Sequence, residues 1–404
     1  MLNIRPFFVF LVIPVAVCTW RRPRVVQLQT LRERIIWTVR SWLWDYPVPL
    51  DTSRWQLSDP ENTELYGREA RTIIHAWKFL RPFFASHGYT LYRSQPPKIF
   101  DLLPAPVAKP TESHVDFKFP YARRIYEHDE EIMFPFVSLR VWPARDEKGR
   151  DVVIRLVSGR EPSDELKIIQ RLNTDRARAD PRNHSIRILE YIYFDGLVFI
   201  VMPRWDQSFN PDFHTVAELF HFTETFLEAF DFLHEYRIAH TDFLEQNTGI
   251  NVLVNTNATH LTGLRDLSST RYAIFDFGGS SIYPEDTVIE DVRSNEFFNF
   301  RLRGYETPPG PCNPFEVDIL FLGCTLERWV RHIVDIVPTI GPFFDSMVTS
   351  DTSKRFTARQ ALEEFKRIRS SSSPSQLNSL VTNRFWNDGV VGTKVQFPTK
   401  LRLW

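Results

Sequence analysis

The chain has 404 residues, of which 43% are hydrophobic and 25% are charged, so it can bury a large core within one large or two moderate domains. Its formal net charge is −1 and no block of lysine or arginine stands against that balance, which argues against a nucleic-acid-binding protein. The cysteines are Cys18, Cys312 and Cys324, and an odd count without a C-x-x-C spacing indicates a reducing compartment and no zinc site.

Residues 1–26 are predicted to be an apolar N-terminal segment. Pro6 to Trp20 is apolar apart from Thr19, and the basic run Arg21-Arg22-Pro23-Arg24 follows. The apolar run is shorter than the about 20 residues that span a membrane. A membrane anchor or signal at residues 6–20 is one interpretation, and an apolar helix or an ill-defined N-terminus is the other. The basic cluster behind the run would keep the following chain in the cytoplasm, which is the favoured location.

Residues 27–95 are predicted to be a helical extension. A first amphipathic helix runs from Leu28 to Trp44, with Val39, Trp42 and Leu43 on one face. Asp59-Pro60-Glu61 is a start signal for a second helix, which Gly88 ends. Its core-facing residues are expected to be Leu65, Ile73, Ile74, Trp77 and Leu80. Residues 96–120 follow with five prolines between Pro96 and Pro110, which predicts an extended linker and a domain boundary.

After Phe117 the pattern becomes typical of strands, and later of helices. Strands are predicted at Glu131 to Phe136, Val137 to Ala144, Asp151 to Ser158 and Leu197 to Met202, with a hairpin turn at Lys148-Gly149. One helix is predicted to begin at Pro162-Ser163. Another runs from Val216 to Tyr236 with Leu219, Phe222, Phe226, Phe230 and Leu233 on its apolar face.

Two polar motifs follow the second of these helices. The first is His240-Thr241-Asp242-Phe243-Leu244-Glu245-Gln246-Asn247, and the second is Phe275-Asp276-Phe277-Gly278. Together they offer two carboxylates and a carboxamide on loops. Such a set can orient a hydroxyl and hold magnesium on phosphates, because magnesium takes hard oxygen ligands. The motifs therefore predict phosphoryl transfer.

The two motifs resemble the catalytic loop of eukaryotic protein kinases, H-R-D-x-x-x-x-N, and their D-F-G magnesium motif, in the same order. By this resemblance, Asp242 would accept the proton of the substrate hydroxyl. Asn247 and Asp276 would hold Mg²⁺ on ATP. His240 would be structural and would pack beneath the D-F-G motif.

Weaker motifs extend the resemblance to the nucleotide-binding groove. Val152-Val153-Ile154-Arg155 is similar to the kinase V-A-I-K motif, with Arg155 in the place of the lysine, and Glu165 falls where kinases keep the acid that pairs with that lysine. Met202 and Arg204 fall in the hinge that contacts adenine.

Motifs of the large lobe follow in the kinase order. Tyr305 to Pro309 occupies the place of A-P-E, and Asp318 to Gly323 resembles the start of a helix whose acid braces the catalytic loop. Arg355 resembles the late arginine that binds the A-P-E acid. Possible phosphate acceptors in the activation segment are Ser280, Ser281, Tyr283, Thr287 and Thr307.

The resemblance implies an α+β fold with two lobes across residues 121–369. The small lobe would contain a five-stranded antiparallel sheet and one main helix, the larger lobe would be mainly helical, and ATP and Mg²⁺ would bind between them. Residues 370–404 would be a C-terminal tail that begins with a flexible linker from Ser370 to Ser375.

Several positions depart from the kinase pattern. Arg155 replaces a lysine, and its planar fork is not equivalent to a point charge. No glycine lies between Pro120 and Lys148, so the glycine-rich phosphate loop is missing. Thr241 and Leu244 replace an arginine and a lysine of the catalytic loop, so phosphorylation of the activation segment is not expected to be the switch. The stretch from Asn251 to Thr270 lengthens the gap between the two acid motifs.

Three functions remain open at this point. The leading interpretation is a divergent protein kinase-like protein that transfers phosphate from ATP to serine or threonine hydroxyls of a protein substrate. The second is a catalytically weak or dead pseudokinase that serves as a scaffold for a partner. The third is a small-molecule phosphotransferase of the aminoglycoside or choline kinase type, which the D-F-G form, Asp318 and Arg355 disfavour.

Overall fold

The structure, a computed structural model, describes residues 31–46, 48–56, 63–93, 102–106, 119–125, 133–135, 138–254, 261–295, 301–302, 305–306, 310–381, 384–387 and 389–393. The apolar run at 6–20 and the helix start at 59–61 lie outside these residues. Within the described ranges, no helix combines the length and the apolar character that crossing a membrane requires.

The chain forms an α+β structure. Its α-helices are α1 (Leu31–Trp42), α2 (Thr63–Ser86), α3 (Asp164–Leu172), α4 (Asp175–Ala179), α5 (Val216–Glu235), α6 (Pro314–Val330), α7 (Ile340–Val348), α8 (Ala358–Ser371) and α9 (Pro374–Leu377). Its first strands are β1 (Thr90–Leu91), β2 (Leu102–Pro104), β3 (Arg123–Arg124), β4 (Met133–Pro135), β5 (Val141–Arg145), β6 (Asp151–Ser158), β7 (Glu190–Phe194), β8 (Leu197–Pro203) and β9 (Asp206–Gln207). Its later strands are β10 (Ile238–Ala239), β11 (Thr248–Ile250), β12 (Val252–Leu253), β13 (Tyr272–Ile274), β14 (Ser281–Ile282), β15 (Arg301–Leu302), β16 (Tyr305–Glu306), β17 (Arg384–Asn387) and β18 (Val390–Thr393).

The main sheet has five antiparallel strands in the order β1-β5-β6-β8-β7. Strand β6 has the predicted bounds and is buried at every residue. Its Arg155 lies opposite Val141 of β5 and opposite Ile200 of β8. The predicted hairpin turn is present, with Gly149 at φ +73° donating its N–H to the Asp146 carbonyl. The sheet therefore places Arg155 on a central strand.

The strand predicted at Glu131 to Phe136 does not join this sheet as the first strand of a small lobe. Its described part, β4, pairs instead with β2, which lies in the stretch predicted as a linker. The edge beside β5 is taken by β1. Strand β1 follows α2 after a turn at Gly88, where φ is +85°, and this tight reversal returns the chain directly to the sheet.

Helix α2 packs on the sheet, and four of its five predicted core residues are buried, namely Ile73, Ile74, Trp77 and Leu80. The fifth, Leu65, is only half-buried. The Trp77 side chain is fully buried and donates its indole N–H to the Leu139 carbonyl at 3.0 Å. Its ring lies 5.6 Å from Trp142 of β5 and 5.8 Å from Phe199 of β8. The extension and the sheet thus share one hydrophobic core.

The apolar face predicted for the first helix is wrong. Trp42 is 55% exposed and Leu43 is 79% exposed. Helix α1 contacts α2 through Trp37, whose ring centroid lies 5.7 Å from that of Phe79, and through Arg40, which donates to the Phe79 carbonyl. Periodicity alone did not identify the buried face, because that face is the one that packs on the aromatic side chains of α2.

A second hydrophobic core lies among α5, α6 and α8. Helix α5 begins one residue after its N-cap Thr215, whose side chain accepts the Glu218 N–H at 3.3 Å. The five apolar residues predicted for its buried face are all buried. The chain then runs from α5 through β10 into the first polar motif, and β11 pairs with β13 so that the two polar motifs are brought side by side.

The flexible linker predicted from Ser370 to Ser375 is also wrong. Helix α8 continues to Ser371, and Ser373 is the N-cap of α9. The Ser373 hydroxyl accepts the Gln376 N–H at 3.2 Å, and the Gln376 side chain accepts the Ser373 N–H at 2.9 Å. This capping box explains why a serine-rich stretch, read as a linker, is ordered.

Candidate functional site

The first polar motif is held by a buried carboxylate from helix α6. Asp318 is fully buried and accepts the backbone N–H of His240 at 2.9 Å and of Thr241 at 2.6 Å. It also bonds the ring of His234, at the end of α5, at 2.9 Å. This matches the bracing role predicted for Asp318, although the helix itself begins earlier, at Pro314.

Thr241 occupies a strained backbone position in this loop. Its φ is +56°, which a β-branched residue rarely adopts. The Thr241 hydroxyl donates to the Gly279 carbonyl at 2.7 Å, and Ser280 donates to the His240 carbonyl at 2.9 Å. These two bonds join the first motif to the residues just after the second. No motif in the sequence indicates this link.

His240 packs beneath the second motif, as predicted. It is fully buried, and its ring centroid lies 5.2 Å from that of Phe277. Burial lowers the pKa of His240, which favours a neutral ring. The side chain is therefore structural rather than a proton carrier at neutral pH.

Asp242 and Asn247 form the acid and amide pair that the first motif predicts. The Asn247 Nδ2 donates to Asp242 Oδ2 at 3.0 Å and to the Asp242 carbonyl at 2.7 Å. The other oxygen, Asp242 Oδ1, is buried with no hydrogen-bond partner among the described residues. Burial and the negative charge of Asp276 raise the pKa of Asp242 to about 6. The site thus contains an oriented carboxylate with one oxygen ready to accept a hydrogen bond.

Arg155 joins the sheet, helix α3 and the second motif. Its Nε donates to Glu165 Oε1 at 2.7 Å. Its Nη1 donates to Asp276 Oδ2 at 3.1 Å, and its Nη2 donates to Asp276 Oδ1. The guanidinium therefore binds both acids at once, in the forked geometry that arginine forms with a carboxylate. The pairing of Arg155 with Glu165 has the predicted partners, whereas the pairing with both oxygens of Asp276 was not predicted.

The two acids respond differently to this shared partner. Burial by itself would raise the pKa of the Asp276 carboxyl, but the Arg155 charge and the Gly278 N–H outweigh burial and lower it. Burial raises the pKa of the Glu165 carboxyl, and the Arg155 charge offsets this effect only in part. The Glu165 Oε2 atom is buried with no hydrogen-bond partner within the described part of the chain. Asp276 is thus the carboxylate that Arg155 holds ionised.

Of the two predicted hinge residues, Met202 lies beside this cluster, whereas the Arg204 side chain has contacts elsewhere. Met202 is buried and lines a narrow, largely apolar cavity behind Arg155, together with Ile186, Ile188, Ile200 and Phe275. The Arg204 side chain turns away: it donates to the Tyr92 hydroxyl at 3.0 Å and to the Met133 carbonyl. The structure therefore brings Met202 to the cluster and gives Arg204 other contacts. Adenine binding at either residue stays a prediction.

The late arginine has backbone partners. Arg355 donates to the carbonyls of Glu316 at 3.0 Å and Thr349 at 3.1 Å. The side chains at 301–309, which include the acid predicted to bind Arg355, lie outside the described residues.

Arg140 is a site residue that motif matching missed. It lies in a turn just before β5, and its Nη1 is 3.9 Å from Glu165 Oε2. No motif names this position. Strand register could not have suggested it either, because Arg140 lies opposite Leu156 and side chains alternate between the two faces of a sheet.

The donor set suits magnesium in chemical type, with one condition. Asn247 supplies a carboxamide oxygen and Asp276 a carboxylate, both hard oxygen ligands. The Asn247 side-chain nitrogen donates to Asp242, so the Asn247 side-chain oxygen points away from Asp242. Asp276, however, has both oxygens bound by Arg155. A metal ion on Asp276 would therefore share these two oxygens with the Arg155 guanidinium, whose positive charge opposes a second cation there.

Comparison with known proteins gives little beyond this geometry. No protein-family model matches the chain, and no curated protein matches it in sequence. Among solved structures, the chain is similar to one titled "Crystal structure of Rad53 kinase domain and SCD2", at 17% sequence identity. The match covers 59% of this chain and 91% of that chain, with a TM-score of 0.37. This similarity to a kinase domain is distant.

Proposed function

We propose that this chain is a divergent protein kinase-like phosphotransferase with a two-lobed fold, which transfers phosphate from ATP to serine or threonine hydroxyls of a protein. One observation carries the proposal. Separate chain segments converge on a single cluster that contains Asp242, Asn247 and Asp276, with Arg155 and Glu165 beside them. These are the groups that phosphoryl transfer requires for positioning a hydroxyl and stabilising phosphate charge.

Asp242 has the role of accepting the hydroxyl proton. Its Oδ2 is held by Asn247, so the carboxylate has a fixed orientation, and its Oδ1 has no partner in the described chain. A pKa near 6 leaves Asp242 ionised at neutral pH while making it a better base than an ordinary aspartate. Asp318 maintains this geometry by bonding the backbone before it.

Arg155 has the role of binding the nucleotide phosphates. Its Nε stays on Glu165, which aims the two terminal nitrogens toward Asp276. A phosphate presents the same forked acceptor geometry as a carboxylate. Magnesium held by Asn247 and Asp276 would neutralise phosphate charge when bound. Met202 and the backbone at Arg204 would border the adenine.

A second candidate is a catalytically dead scaffold, and a specific contact supports it. Arg155 bonds both oxygens of Asp276, so the carboxylate that would hold magnesium is already neutralised. Loss of the glycine-rich loop and of the catalytic-loop lysine weakens the phosphate side further. Under this proposal the fold binds a partner protein and transfers no phosphate.

The experiment is a transfer assay with the full chain, because α2 shares its core with the sheet and cannot be removed safely. Labelled ATP, Mg²⁺ and a generic protein substrate are supplied to the native chain and to Asp242→Asn, Arg155→Lys and Asp345→Asn. Asp345 is exposed and pairs with Arg331 outside the cluster, so Asp345→Asn is the matched control.

Transfer by the native chain and the control, with loss in Asp242→Asn, supports the enzyme. Transfer by Arg155→Lys alone supports a scaffold disabled at that position. No transfer by any variant overturns the enzyme proposal.

A further inference from the structure

Arg140 lies in the turn before β5, with its Nη1 3.9 Å from Glu165, a member of the Arg155 cluster. The turn spans Leu139 and Arg140, and β5 begins at the next residue, Val141, which lies opposite Arg155. The Leu156 N–H donates to the Arg140 carbonyl at 2.9 Å, which fixes the backbone of the turn to β6. This turn contains no glycine, so it cannot offer phosphates the close backbone approach that a glycine-rich loop provides.

The Arg140 side chain is partly committed and partly available. Its Nη2 donates to the Thr52 carbonyl at 3.1 Å, which anchors the guanidinium. Its Nη1 lies 3.9 Å from Glu165 Oε2, beyond hydrogen-bond distance. Its Nε is buried with no hydrogen-bond partner among the described residues. A guanidinium held at one nitrogen and unsatisfied at another is suited to an acceptor that the described chain does not supply.

The surroundings favour an anionic acceptor. Glu165 Oε2 is itself buried without a hydrogen bond, yet it does not approach Arg140 closely enough to satisfy it. Burial lowers the pKa of Arg140 more than the Glu165 carboxylate raises it, so the cation is incompletely compensated. Asp276, already bound by Arg155, contributes only a distant attraction. An anion near both arginines would relieve the unmet charge and the unmet donor together.

We infer that Arg140 is a second phosphate-binding residue, which acts with Arg155 and replaces the backbone contacts of the missing glycine-rich loop. The inference rests on the proposed function, because it assumes a nucleotide in the groove. The two arginines lie on different elements: Arg155 is on β6, and Arg140 is in the turn before β5. Charge-assisted bonds from two arginines can then offset the absence of backbone donors.

The test measures equilibrium binding of two probes, Mg·ATP and adenosine, to the full-length native chain and three variants. Arg140→Gln removes the charge, and Arg140→Lys keeps the charge but loses the fork. Lys148→Gln removes one positive charge from the exposed tip of the neighbouring hairpin and is the matched control. Thermal unfolding of each variant establishes that it is folded.

The expected result is a loss of Mg·ATP affinity of about tenfold or more in Arg140→Gln, which corresponds to one charge-assisted bond of about 1.4 kcal/mol or more. Adenosine affinity should stay within about twofold, because adenosine has no phosphate. Arg140→Lys should fall between the native chain and Arg140→Gln, and Lys148→Gln should match the native chain. If Arg140→Gln is unfolded, Arg140→Lys provides the test: a selective loss of Mg·ATP affinity in that variant supports the inference, and an unchanged affinity contradicts it.

Other outcomes separate the two proposals. If the native chain binds Mg·ATP and both Arg140 variants bind it equally well, the inference fails while the proposed function stands. If Arg140→Gln weakens adenosine and Mg·ATP to the same extent, Arg140 is structural and the inference also fails. If the native chain binds neither probe, the nucleotide groove of the proposed function fails, and the role of Arg140 fails with it.

Discussion

Arg155 donates hydrogen bonds to both carboxylate oxygens of Asp276, while its Nε remains on Glu165. This relationship places the residue that should bind phosphate on the residue that should bind magnesium. A forked guanidinium engages both oxygens of a carboxylate at once, whereas a lysine ammonium is a point charge that leaves more of the carboxylate accessible. The geometry of the Arg155 side chain therefore determines how accessible the Asp276 carboxylate is to a metal ion.

Arg155→Lys should strengthen the magnesium dependence of nucleotide binding. The shorter cation can stay on Glu165 but can no longer bond both Asp276 oxygens, so the carboxylate becomes available to the metal. At a fixed ATP concentration, we expect the Mg²⁺ concentration that gives half-saturation to fall by about tenfold. This corresponds to about 1.4 kcal/mol of binding free energy. Titration of Mg²⁺ followed by nucleotide fluorescence measures this. An unchanged midpoint would show that Arg155 does not compete with the metal.

The rate of phosphate transfer should depend on the ionisation of Asp242. Its pKa of about 6 means that the base is ionised above that pH and protonated below it. We expect the rate to fall about tenfold per pH unit below about pH 6 and to level off above it. A pH profile of single-turnover transfer measures this, and Asp242→Asn should lower the rate by about 10²- to 10⁴-fold. A profile that is flat down to pH 4.5 would remove Asp242 from the chemistry.

Asp242→Asn should also stabilise the fold at neutral pH. The folded carboxyl has a pKa of about 6 against an ordinary value of 3.8, so the folded state binds the proton more tightly than the unfolded state. Ionisation of Asp242 therefore destabilises the fold fully above about pH 6, and the penalty disappears as the pH falls toward 4. Replacing the acid should add about 1 to 3 kcal/mol to the free energy of unfolding at pH 7.5. Urea unfolding at pH 7.5 and pH 4 tests the difference, which should shrink at the lower pH.

Thr241→Val should loosen the segment after the second motif. The valine keeps the β-branched shape but lacks the hydroxyl that bonds the Gly279 carbonyl at 2.7 Å. We expect the free energy of local unfolding of this segment to fall by about 1 to 3 kcal/mol, because the part-buried Gly279 carbonyl loses its hydrogen bond. Hydrogen exchange at residues 279–282 measures the loosening. Thr241→Ser is the control: it keeps the hydroxyl and relieves the crowding at φ +56°, so equal loosening in both variants would contradict the role of the bond.

Asp318→Asn should disorder the first motif. The amide offers only one acceptor, and its NH₂ end would meet the N–H donors of His240 or Thr241. We expect a loss of about 2 to 4 kcal/mol in unfolding free energy, together with loss of phosphate transfer. Asp345→Asn, which removes an exposed carboxylate, should change stability by less than about 0.5 kcal/mol. Equal effects of the two substitutions would show that Asp318 does not brace the loop.

Replacing two tryptophans of the extension should lower the stability of the fold by very different amounts. Trp77 is fully buried against the sheet, so Trp77→Ala should cost about 3 to 5 kcal/mol. Trp42 is 55% exposed, so Trp42→Ala should cost less than about 1 kcal/mol. Chemical unfolding of the two variants makes the comparison. A small effect of Trp77→Ala would mean that the extension is not part of the folded core.

Local patterns predicted much of the secondary structure. The bounds of β6 follow from a run rich in β-branched residues between Gly149 and Gly159, and the apolar face of α5 follows from helical periodicity. The position of the edge strand β1 and the face that α1 buries were not predictable in this way. Both depend on contacts with residues far along the chain, which short-range spacing does not encode.

By itself the sequence determined the chemical groups of the site, since the order and spacing of Asp242, Asn247 and Asp276 name an acid-rich loop pair. Only the tertiary structure decided how those groups are used. The fork of Arg155 bonds Asp276 across 121 positions of the chain, and the turn before β5 places Arg140 Nη1 3.9 Å from Glu165 Oε2. Ion pairs depend on distance and burial, and the fold sets both by packing separate elements together.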